Sequence, residues 1–113
     1  HSFEMAQGSN CTIHIQVDNV PSHTGALELA SMGLVPAGAY RNRAYAEAGV
    51  AVRGNISRAQ QDILYDPQTS GGLLFAIPRE EADACLAHLR QTIPDAAIIG
   101  HVTEKEDAYI ILE

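Results

Sequence analysis

Apolar and polar residues alternate strictly at the start of the chain, with Cys11, Ile13, Ile15 and Val17 on one side and Thr12, His14, Gln16 and Asp18 on the other. A period of two sends successive side chains to opposite faces, so this segment predicts a β-strand with one buried and one wetter face. Before it, Phe3 and Ala6 stand three apart with no capping residue in front, and run into Gly8-Ser9-Asn10, which reads as the end of a helix. After it Pro21 interrupts. Thr24 is then placed to cap a short helix carrying Ala26, Leu27 and Ala30, with Gly33 closing it in the left-handed conformation.

From Leu34 to Gly49 neither a period of two nor one of 3.6 is visible, which predicts a long loop of the kind that often carries function. Val50 to Arg53 reads as a short strand turned by Gly54-Asn55. Ser57 followed by Gln60 is a capping-box pattern that opens a helix with Ile63 and Leu64 facing inward, stopping ahead of Pro67. Gly71 to Ile77 is a continuous apolar run that predicts a central strand covered on both faces. Ala82, Cys85, Leu86, Leu89 and Ile93 form the stripe of a helix starting near Glu80, with Glu80 and Glu81 at its positive end and Arg90 near its negative end. Leu74 and Leu86 are therefore expected in the core. Ala96–Val102 and Ala108–Leu112 are expected to close the chain as a hairpin around the charged turn Glu104-Lys105-Glu106-Asp107. This order predicts an α/β (α+β layered) domain, a mixed β-sheet with helices packed on it.

Composition narrows the function. A chain of 113 residues, 46% of them hydrophobic, is one domain, residues 1–113, with room for a core. Fourteen acidic against seven basic side chains give a net charge of −7, which repels a phosphate backbone and argues against nucleic acid as a partner. No apolar stretch approaches the roughly 20 residues that span a bilayer, and no basic-then-apolar leader opens the chain, so no membrane partner and a cytoplasmic location are expected. Cys11 and Cys85 lack a C-x-x-C spacing and read as buried, inert thiols. The chain opens at His1 without an initiator Met, as a fragment or a processed product would.

The segment richest in chemistry is Asp66-Pro67-Gln68-Thr69-Ser70-Gly71-Gly72. A carboxylate, an amide, two hydroxyls and two glycines between a helix and the expected strand suit close approach of a phosphate. It is not a Walker loop, because no Lys follows the glycines and the order is reversed. Anion contacts would come from hydroxyls and backbone N–H groups in a nest-like turn. The plainer reading is a helix stop followed by a tight turn. His14 and His101 fall on the polar sides of expected strands, His23 in a turn and His88 on an exposed helix side. They share no metal-ligand spacing and read as surface or hydrogen-bonded histidines, and no metal site is expected. The acidic run Glu104 to Asp107 reads as a solvated tip and not a cation site.

Tyr65-Asp66-Pro67-Gln68-Thr69-Ser70-Gly71-Gly72-Leu73-Leu74 closely resembles the signature near the end of selenophosphate synthetases (selenide, water dikinases). Further segments match in order and spacing: His1 with Glu4-Met5-Ala6-Gln7-Gly8-Ser9, Gly25-Ala26-Leu27-Glu28-Leu29-Ala30, Gly33-Leu34-Val35-Pro36, Tyr40-Arg41-Asn42-Arg43 and Ile99-Gly100. The family's Gly-Gly-Thr is Ala37-Gly38-Ala39 here, so no ligand role is carried onto positions 37 and 39, while Gly38 and Asn42 remain matched.

The resemblance implies the C-terminal domain of a two-domain protein similar to aminoimidazole ribonucleotide synthetase. The implied parent would be a homodimeric phosphotransferase of selenium metabolism, making the selenophosphate of selenocysteine biosynthesis, AMP and phosphate from ATP and selenide with magnesium. Its nucleophilic Cys or selenocysteine, Lys and metal-binding Asp residues lie in the N-terminal catalytic domain, so no catalytic residue, no metal ligand and no strongly bound cofactor are expected in this chain. It implies that Asn42, Asp66, Gln68, Thr69, Ser70, Gly71 and Gly72 form one wall of the interdomain nucleotide cleft. Thr69 and Ser70 would donate to phosphate, and Asp66 would contact the ligand or hold the turn. The alternatives are the equivalent domain of a related ATP-dependent enzyme, such as the hydrogenase-maturation or thiamine-phosphate kinase proteins, and a stand-alone small-anion-binding or interaction module.

Overall fold

The structure, a computed structural model, describes all residues 1–113. Five α-helices, α1 (Ser2–Ser9), α2 (Ala26–Ser31), α3 (Ala37–Ala46), α4 (Arg58–Leu64) and α5 (Arg79–Leu89), accompany four strands, β1 (Cys11–Ile15), β2 (Val50–Val52), β3 (Gly100–Glu104) and β4 (Ile110–Leu112). The strands form one sheet in the order β2-β4-β1-β3. β1 runs antiparallel to β3 and parallel to β4, and β4 runs parallel to β2, so the sheet is mixed as expected. No helix is long and apolar enough to cross a membrane.

Ile13 and Ile15 of β1 and Ile110 and Leu112 of β4 line one face of the sheet, and Ala6 of α1 and Val17 complete its core, with Phe3, Val50, Ile56, Leu64 and Tyr109 packed around them. Phe3 meets Tyr45 and Tyr109 edge-on at 5.8 and 5.7 Å between ring centroids, a favoured aromatic geometry. The other face of β1 is not wetter: Thr12 is wholly buried and His14 is 6% exposed, because Ile111 of β4 is buried beside them and the β3–β4 connection supplies their polar partners.

Helix ends follow local chemistry. Asn10 takes the left-handed conformation that stops α1. Gly33, at φ 80°, closes α2: its N–H reaches Ala30 and that of Leu34 reaches Leu29, a Schellman pair. Gly25, not Thr24, occupies the N-cap of α2. The capping box at Ser57 and Gln60 is formed, and α5 starts one residue before Glu80.

Several expectations fail. Leu34–Gly49 is not a loop, since α3 occupies Ala37–Ala46. It buries Gly38, Ala39 and Ala46, small residues that pack closely without a hydrophobic stripe. The last two strands are not a hairpin, because β3 and β4 pair on opposite sides of β1. Gly71–Ile77 is not a strand: both edges of β1 and β4 are taken, and Leu73 to Ile77 make no backbone–backbone hydrogen bond. Leu73 is 95% exposed and Leu74 42%, so neither belongs to the core. α5 buries no residue completely, leaving Leu86 half-buried and Ile93 exposed. Cys11 and Cys85 are free thiols, half-buried rather than buried.

Candidate functional site

Helix α4 ends at Tyr65, where Pro67 cannot continue it, and the chain then turns through Asp66 to Gly72. Asp66 N–H donates to Ile63 and Gln68 N–H to Asp66 (3.1 and 2.9 Å), while the N–H groups of Thr69, Ser70, Gly71 and Gly72 find no backbone acceptor. Ser70 takes φ 57°, a left-handed conformation uncommon for a residue with a side chain, which lets the turn fold back on itself. The Asp66–Gly72 loop encloses a polar concavity of about 310 Å³ lined by Asp66, Gln68, Thr69, Ser70, Gly71, Gly72 and His23. Six of the seven residues expected at the site are therefore brought together. His23, which the sequence placed only in a turn, joins them from the segment before α2.

Asn42 is the exception. It projects from α3, and its Nδ2 donates to the Tyr65 carbonyl at 2.9 Å, fastening the helix end from which the loop departs. One turn earlier, Gly38 lies against the Pro67 ring. Next to Asn42, the Arg43 guanidinium donates to Gln61 Oε1 (3.0 Å) and Asp62 Oδ1 (2.8 Å) and lies 4.5 Å from the centre of the Tyr65 ring. Arg58 donates to the same Asp62 oxygen. Burial pushes the Tyr65 phenol above its usual pKa, opposed by Arg43. One face of α3 thus sets the end of α4, which sets the loop.

The concavity offers free N–H groups, two hydroxyls, an amide and an imidazole, a donor set that suits an anion with several oxygens. It lies at the C-terminal end of α4, so the helix dipole gives no assistance and the loop's own donors must do the binding. Asp66 is its one carboxylate.

Elsewhere, the β3–β4 connection is more than a solvated tip. Glu106 Oε1 accepts from His14 Nε2 (2.8 Å) and Thr103 Oγ1 (3.1 Å), Oε2 accepts from Arg53 (3.2 Å), and Glu106 N–H donates to Thr12 Oγ1 (2.8 Å). The His14 hydrogen bond first, then that from Arg53, holds the Glu106 carboxyl below the usual range. His14 and His101, opposed in the β1–β3 register, stack at 4.4 Å.

The profile of the family described as "AIR synthase related protein, C-terminal domain" matches residues 1–113. The chain is 45% identical over 113 residues to the selenide, water dikinase of Clostridium botulinum (strain Eklund 17B / Type B), covering 100% of this chain and 33% of that protein. It is 46% identical over 111 residues to that of Clostridioides difficile (strain 630), covering 97% of this chain and 32% of the relative. The Treponema denticola selenide, water dikinase is 38% identical over 112 residues, 95% of this chain and 31% of its own length. The chain spans about a third of the length of the curated relatives it matches. With its whole length matched, this chain belongs to the AIR synthase related protein C-terminal domain family.

Proposed function

We propose that this chain is the C-terminal domain of a selenophosphate synthetase, and that Asp66 to Gly72 form the wall of its cleft that receives phosphate. The observation that carries this reading is the polar concavity, in which Thr69 to Gly72 present backbone N–H groups without backbone acceptors beside two hydroxyls. The names of the relatives supply the reaction class. The whole protein would use ATP and magnesium to convert selenide into selenophosphate, AMP and phosphate, with this domain binding and orienting phosphate oxygens while metal and nucleophile are held by the rest of the protein. Gln68, Thr69 and Ser70 would donate, His23 would add a donor from the opposite side, and Asn42 would act through Tyr65 as a positioning residue. The exposed Leu73, Phe75 and Ile77 support the reading, since an unpaired apolar segment beside the concavity suits cover by the remaining two thirds of such a protein or by its second copy.

The complete Pro67-Gln68-Thr69-Ser70-Gly71-Gly72 run favours this reaction over that of another ATP-dependent relative. The test is ³¹P NMR of a protein containing this chain and its upstream region, supplied with ATP, magnesium and selenide. Selenophosphate with stoichiometric AMP is expected. ATP turnover that ignores selenide would assign a related reaction, and the absence of any ATP turnover by folded protein would favour the anion-binding module.

A further inference from the structure

The sheet brings together a second group of residues, remote in sequence and unused by the phosphate loop. His14 on β1 and His101 on β3 are register partners, and Glu113 follows β4 on the same face of the sheet as Ile111, the residue opposite His14. One nitrogen or oxygen from each of the three lies within 4.8 Å of the others. The His14 side chain is 8% exposed, with Nε2 engaged by Glu106 at 2.8 Å, and its buried Nδ1 has no hydrogen-bond partner. With Nε2 engaged by Glu106, Nδ1 is the ring atom turned towards Glu113, whose Oε1 is 3.4 Å away.

We propose that His14 Nδ1, His101 and Glu113 form a binding site for a divalent transition-metal ion of the zinc class. Two imidazoles and a carboxylate are ligands such ions accept, with a fourth position left to water. Tetrahedral bonds of about 2.0–2.1 Å place ligand atoms about 3.3 Å apart, close to the 3.4 Å between His14 Nδ1 and Glu113 Oε1. The exposed His101 ring closes the remaining gap by turning out of its stack on His14. Glu106 fixes the tautomer and orientation of His14, as a carboxylate behind a ligating histidine does, and is itself held by Thr103 and Arg53. The same Glu113 Oε1 accepts from Gln16 Nε2 at 2.7 Å, which orients the carboxylate.

The test is titration of the 113-residue chain with Co²⁺, read by its visible ligand-field bands, and with Zn²⁺ by calorimetry. One equivalent should bind saturably, with the intense bands of four-coordinate cobalt and loss of the His14–His101 stack by NMR. His14 is buried and its replacement risks the fold, so the informative variants are at its partners. His101→Ala and Glu113→Gln should each weaken binding at least about tenfold with little change in metal-free melting temperature, and Glu106→Gln, acting behind His14, should weaken it by about 10–100-fold. No saturable uptake at millimolar metal, or affinity unchanged in both His101→Ala and Glu113→Gln, would overturn the site.

Discussion

Gly38 on α3 and Pro67 in the Asp66–Gly72 loop are in such close contact that a Cβ at position 38 would lie 2.6 Å from Pro67 Cγ. The proline ring cannot swing aside as the end of a long side chain would. Gly38→Ala would gain about 1 kcal/mol of helix propensity, but overpacking costs about 1–3 kcal/mol and pushes the loop outward. A lower denaturant midpoint is expected, together with shifted amide resonances from Thr69 to Gly72. Gly72→Ala, with nothing within 4 Å of the new methyl, should leave the midpoint nearly unchanged.

Core truncations distinguish the sheet from the exposed segment. Ile111 is fully buried, so Ile111→Ala should cost about 2–5 kcal/mol in urea unfolding. Leu74→Ala, on a segment without ladder hydrogen bonds, should cost no more than about 0.5–1 kcal/mol. Comparable losses in both variants would place Leu74 in the core after all.

What could be read along the chain was mostly local. Alternation at Cys11 to Ile15, the capping box at Ser57 and Gln60, and the glycine stop at Gly33 each act within a few residues, and each is formed. Helix α3 carried no such mark, because Gly38, Ala39 and Ala46 bury small surfaces whose close fit depends on partners elsewhere in the chain. The run Gly71 to Ile77 misled because apolarity reports a wish for cover without naming the covering group: the central positions of the sheet are filled by β4 and β1, and the segment pairs with neither edge strand. The residues Asp66 to Gly72 that line the polar concavity were legible as one contiguous motif, and His23, which joins them there, was not. His14, His101 and Glu113 could not be found this way, since their proximity depends on which strands flank β1.

Acid should weaken the domain through Glu106. Its folded-state pKa is held below the ordinary value, chiefly by the His14 hydrogen bond, so the unfolded chain binds a proton more readily. Its contribution is complete above the ordinary glutamate pKa of about 4.3 and disappears as pH falls through the lowered folded value. The melting temperature should decline between about pH 5 and 3, and Glu106→Gln should flatten that decline. An equally steep decline in the variant would show that another carboxyl is responsible.

The loop's place in the reaction is tested most directly by replacing Thr69 and Ser70 together with Ala in the protein that carries this chain with its upstream region. Kinetics and thermal unfolding are to be measured on the same preparation. Each hydrogen bond to a charged phosphate oxygen is worth about 1.5–3 kcal/mol, so bonds made mainly in the transition state predict at least a tenfold loss in the rate of selenophosphate formation, with the melting temperature nearly unchanged. A double variant that melts earlier yet turns over at the wild-type rate while folded would contradict the account, leaving the two hydroxyls as turn formers between α4 and the exposed segment.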